Sequence, residues 1–203
     1  MPTGVALPDA RAQLFAAVER VLVRDGAGGL TSRSVTEEAG VAKGVLYRHF
    51  ADFDDVLAEL VRGRIAQVEA DLAALTDDAG PDARPATLAD GVSEALTRIF
   101  TPVNLRLVSV VIARDDLRAR LRATGTPGIP LLTEAGTFLR AYLEAEQRSG
   151  RITAETDVAT LALTLIGTGH LLFAGEVGAL PDASAVREVV ETITAGVEPG
   201  VRP

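Results

Sequence analysis

The chain predicts an all-α fold, with an N-terminal three-helix domain that contains a helix-turn-helix, followed by a larger helical-bundle domain. Three observations carry that expectation. Apolar residues recur at helical spacing over most of the 203 residues, and no run sustains a period-two alternation. Glycine and proline cluster between the periodic segments. Alanine is abundant and every basic residue but Lys43 is arginine, and both types are strong helix formers.

The elements follow in order. Pro8 suits a first helical turn, and Leu14, Val18 and Leu22 then recur every four residues, with Phe15 and Val21 beside them. This helix is expected to stop at Asp25-Gly26. The run GAGG makes a turn, the Thr31 hydroxyl caps a short second helix to about Ala39, and Gly40 breaks it. Val41 and Ala42 lead into a third helix. Asp52 caps a fourth, whose core face is Val56, Leu57, Leu60 and Val61. Pro81, Pro85 and Thr101-Pro102 mark breaks, and TGTPGIP at 124–130 is the clearest loop. A helix from Leu131 to about Ser149 carries Ala135, Phe138, Leu139 and Tyr142 on one face and ends at Gly150. The segment from Asp157 to Phe173 is strongly apolar. A last amphipathic helix follows the 175–182 loop and carries Val186, Val189, Val190, Ile193 and Val197. The expected domains are residues 1–52 and 53–203.

Composition narrows the function classes. Without cysteine there is neither a disulfide framework nor a thiolate metal site. The first residues lack a signal-peptide pattern, and no window nears the ~18 apolar residues of a spanning helix. A cytoplasmic protein without a membrane partner is expected. The net charge of −8 argues against nucleic acid as a partner, but its distribution is uneven. Residues 1–64 hold eight basic against nine acidic groups, and residues 65–203 hold twelve against nineteen. Between Thr31 and His49 the balance turns slightly positive, with Arg33, Lys43 and Arg48 against Glu37 and Glu38.

The stretch GVAKGVLYRHF, Gly40 to Phe50, explains where the single lysine stands. Two short helices joined at a glycine, the second with exposed cationic and aromatic groups, form a module that reads the major groove. Val35, Val41 and Leu46 pack the module. Ala42, Lys43 and Gly44 open the second helix, where small side chains let the backbone approach base edges. Tyr47 and His49 turn toward the phosphates, and the amides at the helix start favour anions. Arg48 points to solvent.

This run resembles the DNA-binding half of the TetR family of transcriptional regulators, nearly position for position, and the likeness extends over residues 10–61. The resemblance implies a double-stranded DNA operator as partner. It implies base or phosphate contacts from Arg33 and Lys43 and phosphate contacts from Tyr47 and His49, with Thr31, Ser32, Ala42 and Gly44 completing the set. It also implies a small-molecule effector acting from the second domain. Two positions depart from the family pattern. FADFDD, residues 50–55, carries Phe53 among Asp52, Asp54 and Asp55 where relatives often place a phosphate-clamping lysine, and Thr36 replaces a small alanine. Thr36 is tolerable if its hydroxyl bonds back to the helix carbonyls.

In the second domain, Phe100, Arg106, Val110, Phe138, Tyr142 and His170 combine apolar bulk with a few polar groups, which fits a pocket for a mostly apolar effector. The aromatic residues also read as plain core, and His170 as a core or interface histidine. Leu161, Leu165 and Leu172 with Val186, Val189 and Ile193 are the expected homodimer interface, because the 157–173 helix is apolar on more than one side. Val158, Ile166 and Phe173 extend that surface, and Gly167 and Gly169 would permit close helix approach. The pairs Asp54-Asp55, Asp77-Asp78 and Asp115-Asp116 are surface and cap residues, since neighbours on a helix do not face each other. No catalytic motif and no cofactor site is visible, so an enzyme is not expected. The reading is a regulator, most simply a repressor, released from a palindromic operator by its effector. Its rival is a helical adaptor whose helix-turn-helix meets protein instead of DNA.

Overall fold

Helix boundaries in the chain follow from local stop and start signals. They are seen in a computed structural model that describes residues 7–75, 85–125, 128–175 and 181–199. Asp77, Asp78, Pro81, Thr126-Pro127 and residues 176–180 of the 175–182 loop lie outside the described residues. Among the described residues there are ten helices and no strand. They are α1 (Leu7–Gly29), α2 (Ser32–Glu38), α3 (Lys43–His49), α4 (Phe53–Ala73), α5 (Leu88–Ile99), α6 (Pro102–Ala113), α7 (Asp115–Arg122), α8 (Leu132–Arg148), α9 (Val158–Phe173) and α10 (Ala183–Thr194).

The break expected at Asp25-Gly26 is a kink: Gly26 has φ 71 and ψ −172, and a further turn carries the chain to Gly29. At Thr31 the hydroxyl accepts from the Ser34 amide, and the Ser34 hydroxyl accepts from the Thr31 amide, which satisfies two otherwise orphaned donors. The end of α2 is a Schellman turn. Gly40, at φ 66, donates its amide to Glu37, and Val41 donates to Thr36. A β-carbon at Gly40 would touch nothing, so the glycine is needed for its backbone conformation alone. Thr36 is buried and donates its hydroxyl to the Ser32 and Arg33 carbonyls at 2.9 and 3.1 Å, which is how its polarity is accommodated. Asp52 caps α4 by accepting the Asp55 amide at 2.7 Å.

Two compact units result. The first comprises residues 1–64 and 102–130, and the second residues 65–101 and 131–203, so that α4 runs from one into the other. In the first unit α1 packs against α2, α3 and α6, and α6 against α7. Leu14, Val18, Leu22, Val35, Leu46, Leu57, Leu107 and Leu117 are fully buried there. Arg64 of α4 donates to the Asn104 side chain of α6 at 2.9 Å and lies 3.7 Å from Glu19 of α1, joining three helices by polar contacts.

In the second unit α9 packs against α8, α10 against α5 and α9, and α5 against α8 and α9. Leu96, Val92, Leu139, Leu143, Leu165, Ile166 and Val190 form its centre. Two glycines there make room for aromatic groups. A β-carbon on Gly91 would fall 2.1 Å from the Tyr142 hydroxyl, and one on Gly169 would fall 2.5 Å from the Phe100 ring. The expected helix start at Leu131 shifts to Leu132 because Leu131 itself takes φ 73, with its amide held by the Glu134 carboxylate at 2.7 Å. Gly150, at φ 80, closes α8. No single described helix is long and apolar enough to cross a membrane.

Candidate nucleic-acid interface

Leu46 alone anchors α3 by full burial, and it leaves the opposite side of the helix in solvent. On that side stand Ala42, Lys43, Gly44, Tyr47 and Arg48, all exposed, with His49 half-buried at the end. Tyr47 keeps 46% of its surface in water, and the Lys43 ammonium sits 5.7 Å from its ring centroid. Nothing lies within 4 Å of a β-carbon built on Gly44, so its smallness serves no packing need within the chain. A bare backbone beside a cation and a phenol, on a helix held from behind, can seat against a groove and its phosphates.

The α2 residues are arranged differently. Thr31 is exposed, but its hydroxyl is occupied by the cap, and Ser32 is half-buried. Arg33 projects into solvent and shares its Nε with Glu37 at 2.8 Å. The hydrogen bond to Glu37, with its negative charge, raises the Arg33 pKa further above its ordinary value. A phosphate would have to compete with Glu37 for this guanidinium.

Several residues that hold the interface were not singled out in the sequence. Arg11 of α1 lies over the Phe50 ring at 4.5 Å, donates to the His49 carbonyl at 3.3 Å and pairs with Glu59 of α4, so it clasps the end of α3. Phe15 meets Phe50 edge-on at 5.7 Å between centroids. From α7, Arg120 grips Asp52 with two bonds of 2.9 and 2.7 Å, and Arg114, just before α7, bonds Asp54 at 2.8 Å while lying over Phe53 at 5.7 Å. No local signal marks these partners, because they are 35 to 68 residues apart.

The six expected effector residues fall into three groups. Phe138 and Tyr142 line a cleft of about 280 Å³ in the second unit, with Leu72, Ala141 and Ala145 as apolar wall and Glu69 and Arg148 as its charged members. Phe100 is buried, stacks on Phe173 at 5.6 Å and lies 6.3 Å from the half-buried His170. Arg106 and Val110 belong to α6 in the first unit, Arg106 exposed and Val110 buried.

The expected interface residues also separate. Leu161, Leu165 and Val186 are buried in the core of their own unit, and Leu172, Val189 and Ile193 are half-buried. The outward face of α9 is instead Leu163, 73% exposed, with Gly167 and Leu171, the last 48% exposed. Gly169 is small because of Phe100, whereas a β-carbon on Gly167 would meet nothing.

Residues 14–60 match the sequence profile of bacterial regulatory proteins of the tetR family. No curated protein matches the chain. Among solved structures, one from Mesorhizobium loti assigned to the TetR-family transcriptional regulators shares 18% identity, covers 96% of this chain and 100% of its own, and has a TM-score of 0.67. The transcriptional regulator FadR from Bacillus subtilis, in complex with stearoyl-CoA, is 18% identical, covers 92% of this chain and 99% of its own, and has a TM-score of 0.64. The multidrug binding protein EbrR, complexed with imidazole, is 24% identical, covers 92% and 95%, and has a TM-score of 0.57. At these identities the likeness is one of fold. Residues 14–60 thus match the N-terminal domain of the tetR family of bacterial regulatory proteins, and over nearly its whole length the chain has the all-helical fold of these solved structures.

Proposed function

We propose that the chain is a repressor that binds a palindromic operator as a homodimer in the cytoplasm and is released by a small, mostly apolar effector. The observation that carries this reading is the face of α3: Lys43 and Tyr47 exposed beside the uncrowded Gly44, on a helix whose other side is buried. Residues 1–52 read DNA in this account, with Thr31, Ser32, Arg33, Ala42, Lys43, Gly44, Tyr47 and His49 as contacts. Residues 53–203 bind the effector and form the dimer.

Two copies of α3 must sit about 34–36 Å apart to meet successive major grooves, so a change of a few ångströms in their separation costs one half-site. The cleft at Phe138 and Tyr142 is our candidate effector site, and its apolar wall with Glu69 and Arg148 suits a chain-like or planar molecule with a polar end. Structural neighbours were solved with stearoyl-CoA and with imidazole, which is compatible with such a ligand. The dimer face is α9 and α10, centred on Leu163, Gly167 and Leu171 with Leu172, Val189 and Ile193 at its margin.

Selection of duplexes from a randomised pool by the purified protein tests the reading. The expected product is a two-fold symmetric site, protected over both halves. Lys43→Ala and Tyr47→Phe should each weaken binding to it by about 1.5–3 kcal/mol, the worth of a hydrogen bond to a charged group, with the thermal transition unchanged because both side chains are exposed. A pool that yields no enriched sequence, or unchanged affinity in both variants, would favour the adaptor reading in which the helix-turn-helix meets protein.

A further inference from the structure

The corner between α3 and α4 is built from an unusual run for a surface facing DNA. Asp52, Asp54 and Asp55 place three carboxylates within four residues, immediately after the His49 end of α3. Left alone, they would repel phosphate. All three are instead engaged. Arg120 holds Asp52 through both oxygens, Nη1 to Oδ1 at 2.9 Å and Nη2 to Oδ2 at 2.7 Å, and lies 3.7 Å from Asp55. Asp54 takes Arg114 through Nε at 2.8 Å and Nη2 at 2.6 Å, and Asp55 accepts the Ala51 amide at 3.1 Å.

A guanidinium fork on a carboxylate fixes distance and plane together, which a single point charge cannot do. α3 has only seven residues and one fully buried side chain, so the segments at its two ends decide its orientation. The α7 end is itself secured. Arg118 donates to the Val111 and Ile112 carbonyls at the end of α6, Leu117 and Leu121 are buried, and α6 packs along α1. Both arginines keep about a third of their side-chain surface in water, where such pairs contribute little to global stability. What they fix is geometry.

We infer that Arg114 and Arg120 are positioning residues for the recognition helix: from the start and the body of α7 they hold the α3–α4 corner in the orientation that specific DNA binding needs, without touching DNA. The inference rests on the reading of the chain as a DNA-binding protein and goes beyond it.

Pair deletions that conserve net charge isolate geometry from electrostatics. Asp52→Asn with Arg120→Gln keeps an oxygen to cap α4 and removes one charge of each sign, and Asp54→Asn with Arg114→Gln does the same for the second pair. With a duplex selected by the wild type, each pair deletion should weaken binding on the order of tenfold, as expected for a coupled network. Affinity for an unrelated duplex of equal length and the thermal midpoint should stay within error. The reversed pair, Asp54→Arg with Arg114→Asp, should recover most of the loss. Amide exchange of the DNA-free protein should accelerate across residues 43–56.

Wild-type affinity and exchange in both pair deletions would overturn the inference. So would equal weakening on both duplexes with the salt slope reduced by about one per arginine, since that identifies a phosphate contact. A wild-type chain that selects no duplex would instead remove the DNA reading, and this role with it.

Discussion

Replacing Leu163 and Leu171 with glutamate should convert the proposed dimer into a folded monomer. Burying a leucine side chain completely is worth roughly 1.5–3 kcal/mol. Leu163 leaves 73% and Leu171 48% of its surface exposed, so covering both is worth roughly 2–3.5 kcal/mol per protomer. A two-fold interface uses the same residues twice, which makes the total about 4–7 kcal/mol, or a dissociation constant raised about 10³- to 10⁵-fold. Glutamate adds like-charge repulsion to that loss. Neither side chain is part of the core of its unit, so helix content and the monomer's thermal midpoint should persist. Leu165 is unsuitable for this purpose, because it is fully buried within its own unit and a charge there would unfold the chain. Sedimentation equilibrium across nanomolar to micromolar concentrations, with circular dichroism as control, measures both quantities. A double variant that sediments as the wild type does would show that α9 does not form the interface. A variant that dissociates yet binds the selected operator with full affinity would refute the need for two half-sites.

Other outcomes follow from the same geometry. Gly40→Ala should destabilise the chain by about 1–2 kcal/mol through left-handed backbone strain alone, since φ is 66 and the space around it is open, and an unchanged thermal midpoint would remove the argument. Gly169→Ala should cost about 1–3 kcal/mol by forcing the Phe100 ring to move, while Gly167→Ala, which meets nothing within the chain, should leave monomer stability equal or raised; similar losses at both sites would contradict this assignment. Acid should loosen the helix starts. Asp157 is held below its ordinary pKa by the Thr160 hydroxyl and Asp182 by the Ala185 amide. Their contribution is therefore complete above about pH 4 and is lost as pH falls through the lowered folded values, where the unfolded chain takes up more protons. Thermal melts between pH 7 and pH 2.5 should show it, and a midpoint that rises on acidification below pH 4 would reverse the sign.

What the sequence by itself determined is what neighbouring residues decide among themselves. Thr31 and Ser34 cap α2, Gly40 closes it, Asp52 caps α4, and the spacing of Val56, Leu57, Leu60 and Val61 names a core face, because each of these effects acts within a turn or two of helix. The run from Gly40 to Phe50 was legible for the same reason, and its family likeness with it. Composition could show that α9 is apolar nearly all round, but not which side turns inward. Leu165 went to the core and Leu163 to the surface through contacts with α8, α5 and α10, which lie elsewhere in the chain. At Gly169 a helix-approach site and room for a ring look alike in sequence, and the Phe100 ring lies against it. The acidic run at Asp52, Asp54 and Asp55 looked like a defect in a DNA-facing corner until Arg114 and Arg120, 60 and 68 residues away, supplied the opposing charges. Local hydrogen bonds and backbone preferences depend on sequence neighbours and can be read one turn at a time. The sides of helices and the partners of charges depend on which segments pack together, and only the tertiary structure decides that.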